Sequence, residues 1–230
     1  MAYVQGVLER MKICVLIPAF NEGGSIGWLV RAVRGLGFDT IVIDDGSKDN
    51  TAKIAHDNGA EVLMNEHNLG KGASLRKAFA LIVTRDYDAA VIMDADGQHL
   101  PFDIAPFIKC YADKKPGVIV GNRMLKAKGM PFIRWCTNWA MSFVISRMCG
   151  QRVPDSQCGF RLISMGLLRK INLNLNTEKF EIESEILLEA SRQGFRIESV
   201  PITTVYEGQF SAIHPIHDTL RFFNFIFKKR

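Results

Sequence analysis

The sequence predicts an α/β protein built on a mostly parallel β-sheet with helices on both faces. Short apolar runs rich in β-branched residues alternate four times with segments whose apolar residues recur at helical spacing, and the returns between them are short. This alternation is typical of βαβ units, in which helices connect parallel strands. Hydrophobic residues make up 47% of the 230 residues, which is enough to bury the core of such a sheet.

The individual elements can be placed in chain order. In the first half the predicted strands cover residues 12–18, 40–43, 61–64 and 89–93. Ser25 is the expected N-cap of the first helix, and Gly35 and Gly59 follow the last periodic residues of the first two helices. In the second half we predict a strand over 117–121, an aromatic-rich helix over 131–149, a helix that starts within 180–185 and a strand over 195–202.

The fourth predicted strand ends in two acidic residues at alternating positions, Asp94 and Asp96, with Gln98 two residues further on. Strand side chains repeat every two residues, so the two carboxylates point the same way and repel each other. A hard divalent cation such as Mg²⁺ or Mn²⁺ relieves that repulsion and also holds substrate phosphates. The alternative is a polar turn after a buried strand. His67 and His99 lack metal-ligand spacing and are expected as surface or loop groups.

Polar residues follow two other predicted strands as well. Glu22 comes after the first strand, and Asp44 and Asp45 end the second. Ligands of open parallel sheets bind at the carboxyl ends of the strands. We therefore expect these acidic residues and Asp94 to line one cleft.

Four motifs follow one another along the chain: Ile-Pro-Ala-Phe-Asn-Glu at 17–22, Ile-Asp-Asp-Gly-Ser at 43–47, Asn-Leu-Gly-Lys-Gly at 68–72 and Asp-Ala-Asp-Gly-Gln-His at 94–99. They resemble those of the family-two nucleotide-sugar glycosyltransferases, in particular the dolichyl-phosphate mannose synthases and bacterial polyprenyl-phosphate glycosyltransferases. The resemblance implies a GT-A fold, an Asp-x-Asp site for Mg²⁺ or Mn²⁺, and inverting transfer of a sugar.

The resemblance also implies roles for single residues. The metal ligands are Asp94, Asp96 and Gln98, and Asp96 also counts as catalytic. Asp45 is expected to accept a hydrogen bond from the base, which a carboxylate can do for uracil or guanine, so the donor is a UDP- or GDP-sugar. The residues implied to bind the nucleotide sugar are Pro18, Glu22, Asp44, Asp45, Lys71, Asp94 and Ala95. Asp44 to Ser47 can alternatively form only a turn and helix cap, and Lys71 can be an exposed lysine after a tight turn.

Three further residues are assigned by the resemblance to the reacting groups. Arg123 and Arg134 resemble the arginines that grip the donor diphosphate, where they neutralise the leaving group. Asp155 resembles the carboxylate near the reacting carbon. The implied acceptor is a polyprenyl or dolichyl phosphate. Ala212 stands where related synthases carry a lysine, which bears on the acceptor.

A helix start at 180–185 matches the family's Phe-Glu-x-Glu pattern with Glu181, Glu183 and Glu185. Acids in a first helical turn also favour the helix dipole, so a structural role stays open for these residues.

The net charge and the cysteine content indicate the class of binding partner and the cellular compartment. The net charge of +5 and pI near 9.0 suit an anionic partner, which we take to be the nucleotide and a lipid phosphate rather than nucleic acid. The five cysteines are scattered with no Cys-x-x-Cys pair, so we expect a reducing, cytoplasmic location without disulfides. We expect an N-terminal extension over 1–11, one catalytic domain over 12–214 and an amphipathic helix over 215–230. That helix docks on the core or on the cytoplasmic face of a membrane, as a peripheral contact.

Three other functions stay open. One is a family-two glycosyltransferase with a sugar hydroxyl acceptor, which needs a base such as Asp155 to remove a proton. Another is a sugar nucleotidyltransferase, but the loop after the first strand at 19–22 lacks the Gly-rich, basic signature expected of one. The third is a catalytically silent binding module, against which the retained acidic residues and arginines argue.

Overall fold

The computed structural model describes residues 11–126, 130–171, 175, 177 and 181–203. These residues contain one seven-stranded sheet with the order β3-β2-β1-β4-β6-β5-β7. Strand β6 is antiparallel to both of its neighbours, and the other adjacent strands are parallel. The mostly parallel α/β fold is therefore confirmed. The strands are β1 Ile13–Ala19, β2 Asp39–Asp44, β3 Glu61–Met64, β4 Ala89–Ile92, β5 Val118–Asn122, β6 Arg161–Ser164 and β7 Ile197–Pro201.

Seven α-helices lie among the described residues, and their apolar faces contribute to one core with the sheet. Two short 3₁₀ turns, Pro101–Asp103 and Met124–Lys126, accompany them. None of the helices in the described ranges is both long and apolar enough to cross a bilayer. The helices are α1 Ile26–Gly35, α2 Thr51–Asp57, α3 Lys71–Ile82, α4 Ile104–Lys114, α5 Phe132–Cys149, α6 Met165–Ile171 and α7 Ile182–Arg192.

The centre of the sheet is buried on both faces. All four residues of β4 and five consecutive residues at the start of β1 are buried. Because neighbouring residues of a strand point to opposite faces, burial of consecutive residues means that both faces are covered. Each fully buried aliphatic side chain in these strands contributes about 1.5–3 kcal/mol to the free energy of unfolding. This burial explains why the predicted strands are continuous apolar runs.

The strand directions bring the polar motifs to one edge of the sheet. In the register of β1 and β2, Ala19 lies opposite Asp44, so these two strands end together. Ile92 at the end of β4 lies opposite Arg161, which begins the antiparallel β6. The loops after β1, β2, β4 and β5 and the loop before β6 therefore meet at the same edge, as the strand-end rule predicts.

The second half departs from simple alternation. The sequence did not predict α4, α6 or the antiparallel β6. Strand β6 has only four residues, too few for its periodicity to stand out. Its direction depends on pairing with β4 and β5, which are distant in sequence. The predicted helix over 215–230, Ala212 and residues 1–10 of the N-terminal extension lie outside the described residues.

Candidate active site

The first acidic residue after β4, Asp94, belongs to an ion-paired cluster with Lys71 and Glu183. The Lys71 Nζ lies 2.5 Å from Asp94 Oδ1 and 2.7 Å from Glu183 Oε1. Burial opposes ionisation of Asp94, but Lys71 outweighs it and holds the pKa of this carboxyl at about 2. Burial alone would lower the pKa of Lys71, but the two carboxylates raise it above its usual value. Lys71 therefore stays charged and keeps Asp94 ionised.

Asp96 is in a different electrostatic position. Its carboxylate accepts a hydrogen bond from the backbone N–H of Gln98 at 2.9 Å, and it forms no ion pair with any described side chain. Burial first, and then the charge of Asp94, raise the pKa of Asp96. A carboxylate that is half-buried beside another negative charge is stabilised by a cation.

The side chains at this edge fit a cation that shares its coordination with a ligand. Within the described ranges, no three His, Cys, Asp or Glu side chains converge into a complete metal site. Mg²⁺ commonly binds through one or two carboxylates plus substrate phosphates, and keeps the rest of its shell as water. Asp96 and Asp94 supply carboxylates of that kind, and Gln98 follows them in the same half-buried turn.

Asp45, at the end of β2, anchors the loop that leads into α3. Its buried carboxylate accepts hydrogen bonds from Asn65 Nδ2 at 2.8 Å, Leu69 N at 3.0 Å, Gly70 N at 2.8 Å and Ser74 Oγ at 2.9 Å. Both carboxylate oxygens are thus engaged by the protein. This arrangement sets the start of α3, and with it the position of Lys71.

Asp44, next to Asp45, makes fewer contacts. Its Oδ1 accepts the backbone N–H of Ser47 at 3.2 Å and also contacts the Ser47 hydroxyl. Within the described residues its Oδ2 accepts no hydrogen bond from a side chain or the main chain. Of the two predicted nucleotide-binding acids, Asp44 has the acceptor oxygen that remains available to a base.

Glu22, in the loop after β1, is connected to the Asp-x-Asp segment through Ser25. The Ser25 Oγ lies 2.9 Å from Glu22 Oε2 and 2.7 Å from the carbonyl oxygen of Ala95. Ser25 does precede α1, as predicted, but its hydroxyl serves this connection and does not cap the helix. Burial first, and then the charge of Asp96, raise the pKa of Glu22. Pro18, half-buried near the end of β1, lies opposite Ile43 of β2.

Arg123 and Asp155, predicted on the donor and acceptor sides, are partners of each other. The Arg123 Nε and Nη2 donate to the two Asp155 oxygens at 2.8 and 2.9 Å, and the Arg123 backbone N–H donates at 3.1 Å. The Asp155 side chain is 0% exposed. Arg123 lies within electrostatic reach of Asp94, whose pKa it helps to lower. Arg134 lies half-buried in the first turn of α5.

Comparison with known proteins now identifies the family. The sequence profile described as Glycosyl transferase family 2 matches residues 14–171, more than half of the chain. The chain belongs to glycosyl transferase family 2. It is 34% identical over 219 residues to a UDP-N-acetylglucosamine–dolichyl-phosphate N-acetylglucosaminyltransferase of Methanococcus voltae, covering 84% of this chain and 86% of that relative. It is 28% identical over 208 residues to an undecaprenyl-phosphate mannosyltransferase of Micrococcus luteus, covering 85% and 84%.

A solved structure of the same fold is glucosyl-3-phosphoglycerate synthase from Mycobacterium tuberculosis, in complex with Mn²⁺, UDP and phosphoglyceric acid. Its TM-score is 0.71 at 18% identity, and the match covers 91% of this chain and 75% of that one. The protein is thus a family-two glycosyltransferase with a GT-A fold, as the sequence motifs indicated.

Sequence reasoning missed the structural role of Arg161 in this glycosyltransferase. Its guanidinium is completely buried and donates to the carbonyl oxygens of Cys158 at 2.7 Å, Ser156 at 2.7 Å and Glu183. It therefore ties the loop that carries Asp155 to the start of α7. An arginine in a polar motif gives no sequence signal of burial, because most arginines are exposed.

Two other residues were missed or misjudged beside Asp94. A Cβ on Gly159 would overlap Asp94 Oδ2 and would lie 2.8 Å from Lys71 Nζ, so this position admits only glycine without rearrangement. His99 was expected as a surface or loop group, and it does lie between β4 and the turn at Pro101, but it is not at the surface. Its ring is buried and stacks on Phe160 at 5.0 Å, with Nδ1 3.8 Å from Asp94 Oδ2. Burial lowers the pKa of His99, although Asp94 and Asp96 oppose this.

Proposed function

We propose that this glycosyltransferase moves a sugar from a nucleoside diphosphate sugar to a polyprenyl or dolichyl phosphate, with inversion and with Mg²⁺ or Mn²⁺ at the Asp94–Asp96 segment. The observation that carries the proposal is the electrostatic contrast between the two acids. Asp94 is neutralised by Lys71, whereas Asp96 is half-buried and has no cationic partner among the described residues. A cation shared with a diphosphate satisfies Asp96.

The nucleotide-sugar donor is proposed to bind at the Asp94–Asp96 segment. Asp96, with Asp94 and Gln98 beside it, would hold the cation, and the cation would neutralise the leaving diphosphate. Arg123 and Arg134 are proposed to face the diphosphate, and Asp44 or Asp45 the base. The Methanococcus voltae relative is named for UDP-N-acetylglucosamine, and the solved glucosyl-3-phosphoglycerate synthase contains UDP. We therefore favour a UDP-sugar over a GDP-sugar as the donor.

The acceptor proposal is supported by the absence of an available base at Asp155. A phosphate oxygen is deprotonated near neutral pH, so its attack needs positioning and charge screening but no strong base. A hydroxyl acceptor requires a group that removes its proton. Both Asp155 oxygens accept hydrogen bonds from Arg123, so this carboxylate is already engaged by the guanidinium. The names of both curated relatives include a lipid phosphate.

Helix α5 supports delivery of that acceptor at a membrane surface. It contains no acidic residue, and Arg147 lies over the Phe143 ring at 5.4 Å. Large apolar side chains next to arginine are typical of helices that lie in the membrane interface. We propose that this face contacts lipid from the cytoplasmic side, together with residues 215–230. The exposed apolar side chains of α5 are Phe132, Ile133, Trp135, Trp139, Phe143 and Met148.

The test of the donor site compares Asp96→Asn with Asp113→Asn, a control at an exposed aspartate of α4. UDP and GDP are titrated calorimetrically with and without Mn²⁺, and transfer to polyprenyl phosphate is assayed. Asp96→Asn should fold normally, lose the Mn²⁺-dependent gain in UDP affinity and lose transfer, a barrier increase on the order of several kcal/mol. Near-normal transfer by Asp96→Asn, or full parental activity in excess chelator, would exclude the cation proposal.

The acceptor is tested separately with the double variant Trp139→Gln/Phe143→Gln, and with a chain cut after Pro215. Both should reduce transfer to polyprenyl phosphate in vesicles more than they reduce hydrolysis of the nucleotide sugar in solution. Phe102→Gln, at another exposed aromatic, is the control and should change neither rate. Transfer to sugar hydroxyls but not to lipid phosphate would assign the hydroxyl alternative instead.

A further inference from the structure

Glu183, in the first turn of α7, has a carboxylate oxygen that the fold leaves unused. Its side chain is 9% exposed, and Oε1 lies 2.7 Å from Lys71 Nζ. Oε2 is buried and accepts no hydrogen bond from any described residue. A buried charged acceptor without a donor destabilises a fold, so its presence calls for an explanation.

Two other acids of this helix contact groups outside the Lys71–Asp94 pair. Glu185 Oε2 accepts hydrogen bonds from the backbone N–H and the hydroxyl of Thr177, at 3.0 and 2.7 Å. Glu189 pairs with Arg192 at 2.7 Å. A helix-dipole role, which was an alternative for all the acids at this helix start, does not require an unused buried oxygen. Glu183 differs from these two acids because its carboxylate joins the Lys71–Asp94 pair, and its Oε2 accepts no hydrogen bond from a described residue there.

The surroundings hold Glu183 in place. Arg161 donates to its carbonyl oxygen, and Lys71 bridges its carboxylate to Asp94. Gly159 packs directly on the Asp94–Lys71 pair. The backbone of Glu183 is held by Arg161 and its buried carboxylate by the ion pair with Lys71, so Oε2 is a preorganised acceptor.

Sheet order indicates which part of the donor reaches this oxygen. From one side to the other, the strands run β2, β1, β4, β6. The proposed base ligands follow β2 and the proposed diphosphate ligands follow β4. The sugar is the next group of a nucleotide sugar beyond the diphosphate, so it continues towards the loop before β6, which Arg161 joins to Glu183.

We propose that Glu183 Oε2 accepts a hydrogen bond from a hydroxyl of the donor sugar, and that Glu183 is a specificity-determining residue for the sugar transferred. A carboxylate only accepts hydrogen bonds, so it binds hydroxyls and repels phosphate. The carboxylates of Asp94 and Glu183 share the single ammonium of Lys71. The net negative charge of these three side chains adds to the preference for a hydroxyl over a phosphate. The inference rests on the proposed function, because it takes the donor to be a nucleotide sugar.

The experiment measures the affinities of UDP, UDP-glucose and UDP-N-acetylglucosamine for the parent, for Glu183→Gln and for the control Glu189→Gln, by calorimetry with Mn²⁺. Glu183→Gln should weaken the parent's preferred UDP-sugar by about 10–100-fold, the range for a hydrogen bond to a charged group. The affinity for UDP itself should change by less than about twofold, since only the sugar is lost as a ligand. Glu189→Gln should leave all three affinities unchanged.

A second measurement needs no variant. The parent should bind one monodeoxy analogue of its preferred UDP-sugar at least about tenfold more weakly than the sugar itself, because the paired hydroxyl is missing. Glu183→Gln should lose that discrimination. Equal binding of every monodeoxy analogue by the parent overturns the inference, even if Glu183→Gln does not fold.

The remaining outcomes separate the inference from the proposed function. Equal losses for UDP and UDP-sugar in Glu183→Gln would mean that Glu183 acts on the diphosphate through Lys71, and would overturn the sugar contact alone. Unchanged affinities for both would also overturn it alone. A parent that binds neither UDP nor GDP with Mn²⁺, nor their sugars, would overturn the proposed function and the inference together.

Discussion

Replacing Asp155 by asparagine tests the buried ion pair on which the acceptor argument depends. The carboxylate is 0% exposed and receives three hydrogen bonds from Arg123. Asp155→Asn keeps the shape but removes the charge, and it turns an N–H group towards the guanidinium. Leaving one member of a buried pair without its counter-charge costs about 3–5 kcal/mol of the free energy of unfolding. For a chain of this size, that lowers Tm by roughly 6–20 °C.

The assay follows unfolding and transfer in parallel, so that a lost fold is not taken for a lost catalytic group. Transfer per folded molecule should fall only modestly in Asp155→Asn, by less than about 10²-fold, because a phosphate acceptor needs no general base. The pH dependence of kcat should keep its shape, since the proposed reaction uses no general base at this position. Arg123→Met/Asp155→Leu is the matched control: it should regain stability, because no buried charge is left unpaired.

Two results would refute this reasoning. An Asp155→Asn variant as stable as the parent would mean that the Arg123 pair is not formed in solution. A fall of about three orders of magnitude in transfer at unchanged stability, with loss of one limb of the pH profile, would make Asp155 a general base. The acceptor would then be a hydroxyl.

Three further predictions concern the cluster around Lys71. Asp45→Ala should weaken UDP binding by roughly 1–3 kcal/mol in calorimetry and destabilise the fold by a similar amount, because it also releases the loop that positions Lys71. Ser74→Ala, which removes one donor to Asp45, should cost less. Unchanged UDP binding by Asp45→Ala would leave Asp44 as the acid that contacts the base. Gly159→Ala should destabilise the fold by about 1–3 kcal/mol in denaturant melts, because the added Cβ meets Asp94 and Lys71. The control Gly166→Ala, with open space around the added Cβ, should be neutral or slightly stabilising. Equal effects of the two substitutions would contradict the tight packing of Gly159 against Asp94 and Lys71. The ionised Asp94, with its pKa held at about 2, stabilises the fold at any pH above its unfolded pKa of about 3.9. This contribution of about 2–3 kcal/mol is lost as the pH falls through 2. Acid unfolding of Asp94→Asn should lack this pH-dependent loss, and identical acid unfolding curves for parent and variant would refute the prediction.

The sequence by itself determined the architecture of the first half and the edge of the sheet at which the polar motifs meet. Strands β1 to β4 and helices α1 to α3 are predictable because periodicity and turn residues act over a few neighbouring positions. The clustering of Glu22, Asp45 and Asp94 follows from one general rule, that parallel strands end at a common edge. The family motifs lie on the loops at this same edge of the sheet.

The tertiary structure alone decided how the charges of the site are paired. Lys71, Asp94 and Glu183 lie on three elements that are distant in the chain, and so do Arg123 and Asp155. The partner of a side chain depends on which strands pair and in which direction. Because β6 is antiparallel to β4, Arg161 at its start lies at the sheet edge where β4 ends. Local sequence patterns contain no information about such long-range placement. The sequence therefore reveals the acidic residues of the site. It does not reveal that Asp94 is paired with Lys71, or that Glu183 Oε2 accepts no hydrogen bond from a described residue.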